Sequence, residues 1–201
     1  LLVEEARTNL LDNSEADINV WTHHSGNGIT KTNLTDNAWG RFNGVRFTNN
    51  GVNWYGINSP NFAITNGTAY SVTVFAKYDT ANSIRIAFRN NTASDESRVQ
   101  GSPGNLTAVL HESGTITNIV EELFSDNRVK ITFTMTANNT SSSNYIRIGT
   151  GLNDSNSVVI YAVQVEEGSF PASYIPASGS TVTRAADVTE ITGNDFGTFN
   201  L

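Results

Sequence analysis

Five cations stand at alternate positions of short runs that read as strands: Lys77 in "AYSVTVFAKY", Arg85 and Arg89 in "SIRIAFRN", Lys130 in "RVKITFTM" and Arg147 in "YIRIGTG". Successive side chains of a strand point to opposite faces, so each cation lies opposite the apolar set of its own run. The chain has twelve Lys and Arg and a net charge of −7, so a large share of its few cations sits on these faces. If the runs share one sheet, that sheet presents a basic surface with Thr73, Thr132 and Tyr145 beside it. Guanidinium groups make paired, charge-assisted bonds to carboxylate and sulfate. The chemistry then suits an anionic polysaccharide, uronate-rich or sulfated. The competing reading is that outward strand positions carry Arg or Lys to discourage edge pairing.

Aromatic side chains give the second signal, because flat rings can lie against the C–H faces of sugars. Trp39 in "DNAWGRFNG" and Trp54 and Tyr55 in "GVNWYGIN" stand in Asn/Gly-rich contexts that suit loops near a groove. Adjacent strand residues face apart, so Trp54 is favoured over Tyr55 as the stacking residue. For the same reason His23 and His24 make a poor metal pair, and His111 stands alone. No Gly-x-Ser-x-Gly elbow, phosphate loop or zinc spacing is present, and without cysteine there is no thiol chemistry. Glycoside hydrolysis needs two opposed carboxylates, and Asp95, Glu96, Glu112, Glu121 and Glu122 form no recognisable strand-borne pair.

The elements that must carry these residues are strands. Asn, Ser and Thr are abundant, which disfavours helix interiors and favours turns and strands. "AYSVTVFAKY" sets Tyr70, Val72, Val74, Ala76 and Tyr78 on one face, "SIRIAFRN" Ile84, Ile86 and Phe88, and "RVKITFTM" Val129, Ile131, Phe133 and Met135. "VVIYAVQVEEG" is apolar on both faces, as a central strand is, and Tyr161 within it reads as core. Two packed antiparallel sheets of eight or more strands, a β-sandwich, account for the pattern. "RNNTASDESRVQGSPGNLT" (89–107) reads as a long loop. The low charged fraction of 15 % and the acidic balance argue against nucleic-acid and membrane partners. Leu1-Leu2-Val3 leads directly into Glu4-Glu5, which reads as a piece of a longer chain without a signal peptide.

"LLVEEARTNLLDNSE" followed by Trp21, "GTAYSVTVFAKYDTANSIRIAF", and "VQVEEGSFPASYIPASGSTVTRAADV" together resemble a module of bacteriophage head-spike, tail-fibre and tail-spike proteins, with related copies on polysaccharide-degrading enzymes of marine bacteria. The opening is also similar to jelly-roll carbohydrate-binding modules of polysaccharidases. The resemblance implies a jelly roll that binds glycans without catalysis, over residues 1–187, at a virion surface or outside the cell. Residues 188–201 then form a linker or the start of a following module. Trp21 matches the opening Trp of such modules and is expected in the core. The Glu166 to Asp187 stretch would be an extended exit segment pinned by Tyr174 and Ile175, because proline fixes φ and disfavours helix before it. Similar modules often hold a structural Ca²⁺, for which Glu15, Asp17 and Glu166 are the candidates. The expected ligand set is Lys77, Arg85, Arg89, Arg147 and Tyr145, with Trp54 or Trp39 stacking. The alternatives are a purely structural or adhesive fibre module, and a polysaccharide lyase using Tyr145 and Arg147.

Overall fold

The computed structural model describes residues 4–23, 29–49, 56–90, 95–110, 114–151 and 156–188. They form a β-sandwich of antiparallel sheets, as the alternation implies, with the jelly-roll fold that the resemblance implied. Its strands are β1 (Arg7–Asn9), β2 (Thr22–His23), β3 (Thr30–Asn33), β4 (Val45–Thr48), β5 (Ile57–Asn58), β6 (Phe62–Ile64), β7 (Ala69–Tyr78) and β8 (Ile84–Asn90). There follow β9 (Asp95–Gly101), β10 (Thr107–Val109), β11 (Gly114–Leu123), β12 (Arg128–Ala137), β13 (Ser141–Thr150), β14 (Ser157–Glu167) and β15 (Val182–Arg184). One sheet runs β11-β12-β7-β14-β4-β3; the other runs β10-β9-β8-β13-β5-β2, with β6 as a further partner of β13. From β7 onward the chain changes sheet between β7 and β8, between β10 and β11, between β12 and β13, and between β13 and β14, which brings the inward rows together as one core.

That core is the set the alternation picked out. Tyr70 to Tyr78 of β7, Val129 to Met135 of β12, Ile84 to Phe88 of β8, Ile146 and Ile148 of β13, and Val158 and Ile160 of β14 pack in one cluster with Trp21 and Leu11. β14 is buried on both faces because a second apolar cluster covers its outer side. The segment between β3 and β4 folds over the six-stranded sheet and lays Ala38 and Phe42 on Phe75, Val159, Tyr161 and Ala162, with Leu34, Trp39 and Tyr174 packed around them.

One sequence expectation changes here, and one is met. The stretch 89–107 is not simply a loop: it contains β9, whose register with β8 runs from Asn90 opposite Asp95 to Ile84 opposite Gly101. The exit segment is pinned by Tyr174 and Ile175 as expected, since Ile175 and its neighbour Ala177 are buried and the Tyr174 hydroxyl meets Ser14 Oγ at 2.6 Å. It then continues into β15, which pairs with β1.

Candidate functional site

The outer face of the seven-stranded sheet gathers most of the predicted cations. Pairing β13 with β8 and β8 with β9 sets three rows across the sheet: Gly149–Arg85–Gln100, Arg147–Ala87–Arg98 and Tyr145–Arg89–Glu96. Arg85, Arg89 and Arg147 therefore share one face with Tyr145, as expected. The rows also add two residues that sequence reasoning missed, Glu96 and Arg98. Their strand has the right alternation, but Val99 is the single large apolar residue in "DESRVQG", so the run carries almost no core signature.

Glu96 is the hub. Arg85 pairs with its Oε1, Arg89 Nη1 reaches Oε2 at 3.2 Å, and Arg98 Nη1 reaches Oε1 at 3.3 Å. Arg98 Nε also donates to Gln100 Oε1 at 2.8 Å. One row away, Arg147 donates through Nε to Asn58 Oδ1 at 2.8 Å and through Nη2 to the Tyr145 hydroxyl at 2.9 Å, its guanidinium lying 5.4 Å from the Tyr145 ring centre. Arg147 and Tyr145 retain only 4 % and 7 % exposure, so this is a packed polar layer and not a fringe of free side chains. Burial alone would raise the Glu96 carboxyl, but Arg85, Arg89 and Arg98 outweigh it and hold the carboxyl below the usual range. Burial acts in the opposite sense on Arg85 and Arg147 and lowers both. Three guanidiniums thus surround one carboxylate, with a fourth, that of Arg147, one row away. The Nε of Arg89 is buried with no hydrogen-bond partner among the described residues.

The remaining expected residues fall elsewhere. Lys77 stands on β7 in the six-stranded sheet, opposite Arg128 and Val159, and Lys130 stands in the same sheet with its ammonium 2.9 Å from Glu122. The apolar alternation of each run is identical in the two sheets, so it could not assign them. Trp39 belongs to the second apolar cluster: its ring meets Phe75 at 5.4 Å and Tyr161 at 5.3 Å, and Arg128 covers it at 4.8 Å. It is therefore not a free platform beside the arginines. Trp54 and Tyr55 lie outside the described residues, as do His24 and His111.

The calcium candidates do not converge. Glu15 and Asp17 line a cavity of about 480 Å³ with Asn13, Asn33, Leu34 and Pro176, and Asp17 Oδ1 caps the Asn19 N–H at 2.9 Å. Glu166 is wholly buried beneath the exit segment, where its Oε1 accepts from the Ala172 N–H at 2.7 Å and from Gln164 Nε2 at 3.0 Å. Its Oε2, together with Ser71 Oγ and Thr73 Oγ1, is buried with no partner among the described residues. Calcium takes six to eight oxygens. One carboxylate and two hydroxyls do not supply that shell, and among the described residues no group of three His, Cys, Asp or Glu side chains is placed to share a metal.

No protein family and no curated protein matches this sequence. Solved structures do resemble the fold. The CBM22-1 xylan-binding domain of Paenibacillus barcinonensis Xyn10C is similar over 84 % of this chain and 99 % of its own, with a TM-score of 0.52 at 12 % identity. The CBM22-1–GH10 modules of Clostridium thermocellum xylanase 10B, complexed with xylohexaose, match over 82 % of this chain with a TM-score of 0.50 and 12 % identity; the match spans 29 % of that longer chain. An arabinose-bound α-L-arabinofuranosidase, MgGH51, matches over 82 % of this chain and 27 % of its own, with a TM-score of 0.52 and 10 % identity. At such identities the likeness is one of fold: this chain has the jelly-roll sandwich of CBM22 modules.

Proposed function

We propose that the chain is a noncatalytic carbohydrate-binding module that takes an anionic polysaccharide, uronate-rich or sulfated, on its seven-stranded sheet. The observation that carries this reading is the gathering of Arg85, Arg89, Arg98 and Arg147 on one sheet face, with Tyr145 beside them. A bound carboxylate or sulfate would make charge-assisted bonds to these guanidiniums, the more exposed Arg89 and Arg98 first. The two xylan-associated neighbours support the saccharide part of the reading, and the arginines support the anionic part. Trp54 is the proposed stacking residue. The module would act outside the cell or at a virion surface, appended to further domains.

Catalysis gains no support from this face. Glu96 is its one described carboxylate and is saturated by arginines that keep it ionised, which unfits it as a general acid. The lyase reading of Tyr145 and Arg147 meets a hydroxyl already engaged by its own arginine.

Affinity electrophoresis through gels holding neutral, uronic or sulfated polysaccharides tests the proposal. Retardation by the anionic gels is expected, weakened in Arg89→Ala and Arg98→Ala, whose side chains are the more exposed members of the layer. For one module the affinity should lie in the micromolar to millimolar range, about 4–8 kcal/mol. The second reading, a structural or adhesive module of a phage fibre or spike, draws on the placement of Lys77 and Lys130 away from the arginines. Free migration through every gel would select it.

A further inference from the structure

The opposite sheet carries a second polar site with different chemistry. Two cavities open on its outer face beside the 34–42 segment. One, of about 440 Å³, is lined by Asp36, Trp39, Lys77, Asp126, Arg128 and Tyr161. The other, of about 320 Å³, is lined in part by Thr35, Asp36, Arg46, Lys77 and Asp79. They share Asp36 and Lys77 and so adjoin as one groove, each part falling within the roughly 300–1,000 Å³ typical of ligand pockets.

The fold builds this groove by two local departures from regularity. A β-bulge in β14 between Ile160 and Ala162 puts Tyr161 and Ala162 together on the outer side, where a regular strand would turn one of them into the main core. Tyr161 thereby reaches Asp36, its hydroxyl donating to Oδ2 at 2.6 Å. Across the groove Asn37 and Trp39 both hold left-handed backbone, φ 47 and φ 51. That conformation is a genuine outlier for a bulky side chain such as Trp39.

The lining charges balance. Arg46 Nε donates to Asp79 at 2.7 Å and Arg128 Nε to Asp126 at 2.6 Å, while Asp36 is held by Tyr161. Lys77, shared by both cavities, has no ion pair or hydrogen bond of its own among the described residues, and it is only partly exposed. An anion entering here meets three carboxylates, and a cation meets an ammonium and two guanidiniums. A neutral polyhydroxylated ring meets neither penalty: its hydroxyls can donate to the carboxylates and accept from Lys77 and Arg128. We propose that this groove is a second saccharide site and that it binds a neutral sugar, with Lys77 as the central donor and Trp39 as its aromatic wall. It shares no residue with the arginine face, so either site can fail while the other stands.

The test is an amide and indole chemical-shift titration of ¹⁵N-labelled protein with xylohexaose and, separately, with a β-1,3-1,4 mixed-linkage glucan tetrasaccharide. Saturable shifts are expected at Lys77, Asp126 and the Trp39 indole with at least one of these probes, unchanged in an Arg89→Ala/Arg98→Ala protein. Lys77→Met should keep a native spectrum and weaken the affinity about tenfold, equivalent to about 1.4 kcal/mol; Asp126→Asn is the second variant if that protein fails to fold. The idea is overturned if neither oligosaccharide produces saturable shifts at these residues, if the shifts persist undiminished in Lys77→Met, or if they are confined to the arginine face.

Discussion

At the residue scale, Glu96 decides whether the arginine layer holds together. Removing its charge leaves the surrounding guanidiniums facing one another in a half-buried layer, and breaking a buried pair from one side costs about 3–5 kcal/mol. Glu96→Gln should therefore lose about 3 kcal/mol in urea unfolding, with an unchanged slope against denaturant. The pH dependence has a definite sign. The folded carboxyl is held below its unfolded value of about 4.3. The stability it contributes is thus complete above that value and is lost as the pH falls through the folded one. Between neutral pH and pH 3 the parent protein should lose more stability than Glu96→Gln, and parallel acid-unfolding curves for the two would contradict this. None of it was legible in the sequence. The arginines announced themselves by alternating with isoleucines, whereas Glu96 and Arg98 alternate with Ser97 and Val99, a pattern too poorly apolar to distinguish a strand from a polar loop.

At the scale of elements, the long strands were readable because each keeps an unbroken apolar row, and the breaks in regularity were not. Strands β7, β8 and β12 begin within a residue or so of where their alternation begins. The bulge in β14 and the one in β11 between Thr117 and Val120 insert a residue without any change of composition. The β11–β12 turn illustrates the same limit. Asn127 sits there at φ 65 and donates its N–H to the Phe124 carbonyl at 3.1 Å, a conformation asparagine tolerates better than other non-glycine residues. Asn127→Ala should cost about 1 kcal/mol, while Asn127→Gly should be nearly neutral; equal losses of melting temperature in the two would show that the side chain and not the backbone matters. The exit segment makes a stronger claim. Tyr174 packs edge-on against Phe42 at 5.1 Å and Phe75 at 5.5 Å, with Arg41 over its ring. Its burial raises the phenol well above the ordinary range despite the opposing Ser14 bond. Tyr174→Ala opens that cluster and should destabilise by about 3 kcal/mol, whereas Tyr174→Phe keeps the packing and loses about 1 kcal/mol with the hydroxyl. Matching losses for the two variants in urea unfolding would shift the weight from ring to hydroxyl.

At the scale of the whole molecule, charge is distributed against the average. The chain is acidic, −7 overall, yet one sheet face concentrates arginine and the other presents a balanced groove. A polyanion approaching from a distance meets net repulsion, and the guanidiniums act only within about a Debye length, roughly 8–10 Å at ordinary salt. Salt then has two opposed effects: it screens the long-range repulsion, and it competes with the direct contacts through counterion exchange. Contacts made at hydrogen-bond distance should dominate the equilibrium, so retardation by a sulfated polysaccharide should weaken steadily from 50 to 300 mM salt. Binding of a neutral oligosaccharide in the groove exchanges no counterions and should stay constant over the same range. The same fragment thus yields two salt profiles, one for each face. A sulfated polysaccharide bound equally well at both salt concentrations would remove the arginine layer from the account, and a neutral ligand that weakened in step with the anionic one would mean that the two faces do not act separately.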